Sequence, residues 1–448
     1  MNDLPISKVA TRWLIALACP LLWQGVALGD GGFLSPELQE WLGLPAAERA
    51  ELPADLDRRF GDAGEAEAHR DALWEHYRNV IRALGRNALL PAPTPIDEWD
   101  RGAGAHGAAR HGDWEMPFFF FSKGEKPGSG WPLFVAMHGG GGTPARLDSP
   151  HGWEVNTREW MTQGVLVERV YPEGLYIVPR MHNDNVGRWW KDACQVMVED
   201  LVRAAVLFHG VDSNRVHLIG VSEGGYAAFR MPAHQPDRWA GAGPMAAAEP
   251  IENAPPINFR NTALRADIGE HDTPFDRIGL ARAFFEKIER LRTESPHDYD
   301  FHFEVYEGRG HGIPYDGAPN WLADKTRNPF PERISWQVDR LDTTIHRTNH
   351  WLVLEEEPAE TPLRIEATRA AGEIGMTVVG PDGEPATGLR LRVLLDAASA
   401  SNLREIRING QVVHEGALPL TTGAQIRSLL LREDPDHVFP ADVVVRVP

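Results

Sequence analysis

Cysteine is nearly absent from this chain, whose 448 residues include only two, Cys19 and Cys194. So few thiols exclude a disulfide-stapled scaffold and a cysteine-rich zinc site. The sequence also lacks an HExxH motif, a CxxC pair and a GxGxxG dinucleotide fingerprint between a strand and a helix. We therefore expect no metal and no organic cofactor.

Positive charge is in the minority as well. Lys and Arg number 45 against 64 Asp and Glu, which gives a formal net charge of −19 at pH 7. This balance argues against nucleic acid or an anionic membrane surface as a partner. With 42% apolar and 24% charged residues, the composition is that of a globular protein, and the length suggests two to three domains.

Long apolar runs are confined to the N-terminus. Lys8 and Arg12 precede the run Trp13–Trp23, which is too short and proline-interrupted for a comfortable membrane span. Small residues at Ala27 and Gly29 then have the spacing that a signal peptidase requires. The pattern predicts a secretory signal over residues 1–29, a secreted or periplasmic protein, and no stable membrane insertion after signal removal.

The two cysteines have different expected fates. Cys19 invites a lipoprotein interpretation, but Ala16 occupies the position where leucine is expected, so lipid anchoring is disfavoured. Removal of the signal leaves Cys194 alone, and an intrachain disulfide is then excluded. Cys194 lies in a helical pattern and is predicted to be an inert buried thiol.

The most informative segment that is present is Gly220-Val221-Ser222-Glu223-Gly224-Gly225. It follows the β-type run 216–219 and precedes a predicted helix beginning at Tyr226. A serine on a sharp strand-to-helix turn has an exposed hydroxyl, and glycine lets the neighbouring backbone pass close to it. Ser222 is therefore the candidate nucleophile.

A glycine-rich loop, His138–Gly142, follows the apolar strand-like run Leu133–Met137. Its free backbone N–H groups can bind the oxyanion of a tetrahedral intermediate. We interpret Gly139 and Gly140 as the loop donors, with the N–H of Glu223 completing the oxyanion hole. The alternatives are a flexible linker or a phosphate loop, and Thr143-Pro144 stands where a phosphate loop would place Lys-Ser or Lys-Thr.

With these motifs the chain resembles the α/β-hydrolase family, particularly its secreted serine esterases and polyester-depolymerase-like members. The resemblance covers roughly residues 112–350 and depends on the strand followed by the glycine loop, and on the strand, turn and helix around Ser222. In that family the nucleophile comes first in the chain, an acid follows a later strand, and a histidine comes last.

That order identifies His311 as the candidate base, because it stands between glycines after the strand-like run 301–305. His217 and His302 lie inside strand-like runs and are interpreted as structural. The resemblance matches Asp272 to the acid, since it follows Gly269 in the loop after another strand-like run. Asp267, Glu270 and Asp276 remain alternatives to it, and Asp272 could simply cap the following helix.

The order of elements predicts an α/β fold with a mostly parallel sheet covered by helices on both faces. We divide the chain into a helical preface over 30–111, a catalytic domain over 112–350 and a C-terminal antiparallel β-domain over 352–448. An Asn409-Gly410 hairpin turn and one helix near 422–432 are expected in the last region. It has no catalytic constellation; a stabilising role and carbohydrate binding are its two interpretations.

Trp189 and Trp190 follow an Asn- and Gly-rich loop and are candidates for stacking on a sugar or aromatic acyl group, although either could fill the core. The leading hypothesis is an exported serine esterase acting on a small-molecule or polysaccharide ester, with acetyl and feruloyl groups as examples. A serine exopeptidase of the prolyl-oligopeptidase type is the second hypothesis. A glycan- or partner-binding protein with an inactive hydrolase fold is the third.

Overall fold

The computed structural model describes residues 35–44, 52–140, 154–183 and 188–448, with side chains omitted at 154 and 155. The predicted signal over residues 1–29, and Gly141 and Gly142 of the glycine loop, lie outside these ranges. Among the described helices, none is both long and apolar enough to cross a membrane.

The described chain alternates strands and helices up to about residue 322 and is mostly strands afterwards. The helices are α1 (Pro36–Gly43), α2 (Ala63–Ala83), α3 (Glu154–Arg169), α4 (Asp192–Phe208), α5 (Glu223–His234), α6 (Arg277–Glu294), α7 (Gly317–Leu322), α8 (Ala397–Asn402) and α9 (Thr422–Arg432). The strands are β1 (Thr94–Pro95), β2 (Gly107–His111), β3 (Trp114–Lys123), β4 (Trp131–Met137), β5 (Gly174–Pro179), β6 (Val211–Val221), β7 (Gly241–Met245), β8 (Ala263–Gly269), β9 (Phe301–Tyr306), β10 (Arg333–Val338), β11 (Arg340–Leu341), β12 (Thr344–Ile345), β13 (Thr348–Asn349), β14 (Leu352–Leu354), β15 (Leu363–Ala370), β16 (Glu373–Val379), β17 (Arg390–Leu395), β18 (Glu405–Ile408), β19 (Gln411–Glu415) and β20 (Ala441–Arg446).

A nine-stranded sheet organises the first three quarters of the chain, in the order β1-β3-β5-β4-β6-β7-β8-β9, with β2 added beside β3. All neighbours from β5 to β9 are parallel, while β3 is antiparallel to β2 and β5. The predicted mostly parallel α/β sheet is confirmed. The carboxyl ends of β4, β6, β8 and β9 consequently meet at one edge, where ligands bind in sheets of this kind.

Helices cover both faces of this sheet. Along β4, Leu133 and Val135 pack into one core with α4, whereas Phe134 and Ala136 pack into another with Trp160 of α3. Successive strand residues point to opposite faces, so an uninterrupted apolar strand is expected where both faces are buried. This explains why β4 and β5 consist of fully buried residues throughout.

The first N-terminal helix begins at residues suited to a helix start. Ser35 caps α1 by accepting a hydrogen bond from the Leu38 amide at 3.2 Å, and Pro36 is the first helical residue. The buried face of α2, including Leu73 and Tyr77, packs against α9 and the C-terminal end of α4.

The sequence pattern GxGxxG does occur at residues 102–107, but this stretch leads into β2 rather than from a strand into a helix.

Two sheets form the C-terminal region, one in the order β10-β15-β16-β18-β19 and one in the order β13-β14-β17-β20. Their apolar side chains share one core. The Asn409-Gly410 hairpin and the helix at 422–432 are confirmed. Two details differ from expectation: β16 and β18 are parallel, and the pairing begins at β10, since Arg333–Val338 extends the sheet from before residue 352.

Candidate active site

Ser222 occupies the turn between β6 and α5. Its backbone angles of φ 53° and ψ −109° lie in a region that a side chain disfavours, so this position stores strain. The Ser222 amide donates to the Met245 carbonyl at 2.8 Å, and its own carbonyl accepts from the Tyr226 amide at 3.1 Å. Neighbouring strand and helix thus hold the serine in a conformation that it would not adopt alone.

The glycines around Ser222 are required by close backbone approach. A methyl group on Gly220 would overlap the Gly224 carbonyl, and one on Gly224 would overlap the Met137 carbonyl at the end of β4. A methyl group on Gly225 would lie 2.8 Å from the Met245 carbonyl oxygen. Only residues without a Cβ atom let α5 begin this close to the sheet.

His311 connects Ser222 to Asp272. Its Nε2 lies 3.0 Å from the Ser222 hydroxyl oxygen, and its Nδ1 lies 2.8 Å from Asp272 Oδ2. With the ring proton on Nδ1, the imidazole donates to Asp272 and accepts from the serine hydroxyl, which is the arrangement a general base needs. The Asp272 side chain is fully buried, while that of His311 is 44% exposed. The chain thus brings the three candidate residues together.

The alternative acids do not bind His311. Asp267 Oδ1 accepts from Arg265 Nε at 2.9 Å, and burial raises the pKa of Asp267. Glu270 accepts from the Gly308 amide at 2.9 Å. Asp276 has left-handed backbone angles just before α6. None of these three shares a hydrogen bond with His311 among the described residues.

The other side chains interpreted as structural lie away from the Ser222–His311–Asp272 hydrogen bonds. His217 is fully buried in β6, and burial lowers its pKa to about 3. His302 pairs with Glu304 on its own strand at 3.0 Å. Cys194 is buried 3.0 Å from His182 Nδ1, and burial raises its pKa to about 12. Such a thiol is a poor nucleophile.

The candidate oxyanion donors flank the serine. A methyl group on Gly139 would lie 3.4 Å from the Ser222 Cβ atom, so the loop after β4 runs directly past the nucleophile. Gly140 has φ +102°, a conformation suited to glycine. Glu223 is the first residue of α5, where amides have no acceptor within the helix and the helix dipole favours negative charge.

Trp189 corrects the sequence-based expectation. It has no exposed surface, and its indole N–H donates to the His138 carbonyl at 3.1 Å. The ring fills the core between the sheet and α4, so it cannot stack on a substrate, and instead it anchors the start of the glycine loop. His138 is held from a second side because its Nε2 accepts from the Met181 amide at 3.0 Å. Trp190 is half-buried, and the Arg230 guanidinium lies 4.0 Å above its ring.

A buried carboxylate lies next to the nucleophile. Burial raises the pKa of Glu223 to about 7, partly offset by Arg188, whose Nε lies 3.4 Å from Oε1. Glu249 adds to the rise in pKa, although Arg230 holds both of its oxygens at 2.6 and 2.9 Å. Sequence reasoning assigned no role to the Glu223 side chain. The site therefore contains a second buried carboxyl group besides that of Asp272.

Two further residues were missed by sequence reasoning. Arg277 donates to the second oxygen of Asp272, Oδ1, at 3.0 Å and to the Tyr226 hydroxyl at 2.7 Å. No sequence motif marks either residue. Within the described residues, no cluster of three His, Cys, Asp or Glu has an arrangement suited to a metal ion. The groups assembled here are those of nucleophilic acyl transfer.

Comparisons with known proteins give likeness only at the level of structure. No family model matches the chain, and no curated protein matches it. A thermostable esterase is similar over 48% of this chain and 60% of its own, at 18% identity and a TM-score of 0.36. A ferulic acid esterase (47% and 89%; 14% identity; TM-score 0.31) and an acylaminoacyl peptidase (48% and 38%; 15% identity; TM-score 0.33) are also similar. The reaction must therefore be inferred from the geometry of the site.

Proposed function

We propose that this protein is a serine hydrolase that cleaves carboxylic esters. The single observation that supports this most strongly is the continuous hydrogen-bonded series from Ser222 through His311 to the buried Asp272, with links of 3.0 and 2.8 Å. The glycine loop passing beside the serine and the free amides at the start of α5 add the donors that an acyl transfer requires.

In the first half of the reaction, the Ser222 oxygen bonds to the ester carbonyl carbon while its proton passes to His311 Nε2. The carbonyl oxygen becomes an oxyanion, which the amides of Gly139, Gly140 and Glu223 stabilise. Each such donor contributes about 3–4 kcal/mol to transition-state stability in serine hydrolases. The carbon–oxygen bond to the alcohol then breaks, and the imidazolium returns its proton to the departing alcohol.

In the second half, water attacks the acyl-serine ester and gives its proton to His311. The carbon–oxygen bond to Ser222 breaks, the serine regains the proton, and the carboxylic acid leaves. Asp272 accepts from Nδ1 throughout, which fixes the tautomer and stabilises the positive imidazole. These residues complete the cycle without a cofactor.

The test combines labelling with turnover. A fluorophosphonate probe should label Ser222, and Ser222→Ala should abolish both labelling and the hydrolysis of p-nitrophenyl acetate. Asp276→Asn, an acidic-loop variant outside the hydrogen-bonded series, serves as the control. If Ser222→Ala keeps wild-type turnover, the proposal is wrong.

As substrates we propose acetyl or feruloyl esters of polysaccharides. The partly buried Trp190, just before α4, and the Arg230 guanidinium 4.0 Å above its ring provide apolar and hydrogen-bonding groups together. A turnover screen over acetylated sugars, feruloyl esters, short fatty esters and polyesters tests this. An aminoacyl nitroanilide in the same screen separates an esterase from an exopeptidase, and preference for the nitroanilide would contradict the proposal.

We also propose that the protein is exported, because the first 29 residues have the charge, apolar run and small residues of a signal. N-terminal sequencing of protein recovered outside the cytoplasm should begin at Asp30. Recovery of an intact N-terminus in the cytoplasm alone would contradict export, while leaving the hydrolase proposal untouched.

A further inference from the structure

The second oxygen of Asp272 has a dedicated partner that the acyl-transfer steps do not use. Arg277, the first residue of α6, is buried to 7% exposure and donates through Nη1 to Asp272 Oδ1 at 3.0 Å. The other oxygen, Oδ2, accepts from His311. Because both carboxylate oxygens are engaged, the Asp272 side chain cannot rotate away from the imidazole without breaking a charge-assisted hydrogen bond.

The same guanidinium also contacts the helix of the nucleophile. Its Nε donates to the Tyr226 hydroxyl at 2.7 Å. Tyr226 lies one turn into α5, and its amide donates to the Ser222 carbonyl at 3.1 Å. One buried side chain therefore bridges the loop that carries the acid and the helix that begins at the serine.

The chain is bent to make this bridge. Phe275 and Asp276 both have left-handed backbone angles, with φ 58° and 55°, directly before Arg277. Two consecutive residues of this kind are strained and persist only where the surroundings hold them. They turn the chain back on itself, so that the Ile278 amide donates to the Asp272 carbonyl at 3.2 Å. The Phe275 and Tyr226 rings lie 4.9 and 5.8 Å from the guanidinium carbon.

We propose that Arg277 is a positioning residue for the hydrolase reaction: it fixes the Asp272 carboxylate toward His311 and couples the acid loop to the nucleophile helix through Tyr226. The proposal depends on the proposed serine hydrolase function, because Arg277 acts only through Asp272 and Ser222. It assigns a role to a side chain that touches neither the substrate nor the reacting atoms.

The test measures kcat and KM for p-nitrophenyl acetate and the rate of fluorophosphonate labelling in Arg277→Met and Arg277→Lys. We expect Arg277→Met to lower kcat and the labelling rate by about 10- to 100-fold with KM within about twofold, since a transition-state interaction is lost while binding is not. Arg277→Lys should recover part of this loss, because it keeps the charge but not both hydrogen bonds. Tyr226→Phe removes only the hydrogen bond between Arg277 and the tyrosine hydroxyl, and it should lower kcat by about two- to fivefold.

A double-mutant cycle separates positioning from general destabilisation. In an Asp272→Asn background, Arg277→Met should have less than a third of its single-variant effect on a logarithmic scale, because its partner is already impaired. Arg265→Met is the matched control: it removes a partly buried arginine from the buried Asp267 carboxylate on β8, 2.9 Å away, and should leave labelling within about twofold.

Each outcome has a distinct meaning. Additive effects of Arg277→Met and Asp272→Asn, or an equal loss in Arg265→Met, would overturn the positioning role. If Arg277→Met does not fold, the Arg277→Lys and Tyr226→Phe variants still test the proposal. Wild-type kcat and labelling rates in both of these variants would overturn the positioning role. A wild-type protein that the probe never labels contradicts the proposed hydrolase function instead.

Discussion

In the part of the chain that the structure describes, two buried carboxylates each contact an arginine and a histidine. Asp272, at the carboxyl edge of the large sheet, accepts from Arg277 at 3.0 Å and from His311 at 2.8 Å. Asp434, between the large sheet and the C-terminal region, accepts from Arg327 at 2.8 Å and lies 3.2 Å from Nδ1 of His437. Both aspartates are fully buried. The residue types are the same, so composition alone does not distinguish the two clusters.

What differs is the far side of the imidazole. The Nε2 of His311 faces a serine hydroxyl, and its side chain is 44% exposed. The His437 side chain is 1% exposed, it packs near the Phe439 ring, and its Nε2 has no hydrogen-bond partner among the described residues. An Arg–Asp–His cluster thus becomes a catalytic candidate only where the ring opens onto both a nucleophile and solvent.

The Asp434 cluster connects the large-sheet region to the C-terminal region. Arg327 also donates to the Asn214 side chain at 2.9 Å and to the Asp237 carbonyl at 2.6 Å. Burial lowers the pKa of His437 to about 4, so this histidine is neutral at pH 7. The Asp434 cluster is therefore interpreted as structural, and stability rather than turnover should report on it.

The sharpest way to test the comparison is to truncate both histidines. His311→Ala should lower kcat by about 10⁴- to 10⁶-fold, because the base is lost, with a melting temperature within about 2 °C of wild type. His437→Ala should do the reverse, lowering the melting temperature while kcat stays within about threefold. Thermal unfolding and p-nitrophenyl acetate turnover on the same preparations measure both effects. A folded His311→Ala variant with near wild-type kcat would abolish the distinction.

The next test removes charge from the two aspartates. Asp272→Asn should reduce kcat by about 10⁴-fold, because an amide cannot fix the required imidazole tautomer. Asp434→Asn should cost about 3–5 kcal/mol in the free energy of unfolding, since it leaves the buried Arg327 charge without a counter-ion. Urea denaturation and kinetics of both variants provide the measurement. A fall in kcat for Asp434→Asn as large as that for Asp272→Asn would show that the clusters do not differ in kind.

The difference between these clusters also explains what sequence reasoning could reach. Ser222, His311 and the glycine loop were identified because each follows a strand and is flanked by glycine, so the parallel sheet brings them to one edge. Asp434 and Arg327 are separated by 107 residues and have no such local signature. Their pairing depends on how two regions pack, which a single sequence does not encode in any local pattern.

Tertiary packing decides other features that the sequence left open. Trp189 follows a polar loop and was a candidate both for substrate stacking and for the core; its ring turns inward and donates to the His138 carbonyl. The C-terminal sheet also recruits β10, which lies before residue 352 and pairs with β15, because antiparallel pairing depends on complementary registers rather than on adjacency in the chain. The role of Arg277 was not predicted, because the left-handed turn that places it is formed by Phe275 and Asp276, and neither is a glycine that would indicate such a turn in the sequence.

A smaller expected effect is the pH dependence of the free energy of unfolding, which His437 of the Asp434 cluster should cause. The folded-state pKa of His437, about 4, lies below the ordinary 6.5, so its contribution to stability is complete above pH 6.5 and is lost as the pH falls toward 4. His437→Asn keeps a donor for Asp434 but cannot titrate. Between pH 7 and 4.5 we expect wild type to lose about 1–3 kcal/mol more unfolding free energy than this variant. Equal losses of unfolding free energy in wild type and His437→Asn would contradict the assignment of His437 as a buried, neutral structural histidine.

The smallest effect concerns Glu223, whose titration should appear in turnover rather than stability. Its pKa is raised to about 7 by burial, so the side chain gains negative charge as the pH rises through neutrality. That charge lies beside the amide expected to hold the oxyanion, and Arg188 at 3.4 Å offsets it only in part. Glu223→Gln should therefore match wild-type kcat/KM near pH 6 and exceed it by about two- to fivefold near pH 8.5. Glu270→Gln, in the acid loop, is the control expected to leave this ratio flat, and a flat ratio for Glu223→Gln as well would mean that the carboxylate does not act on the developing oxyanion.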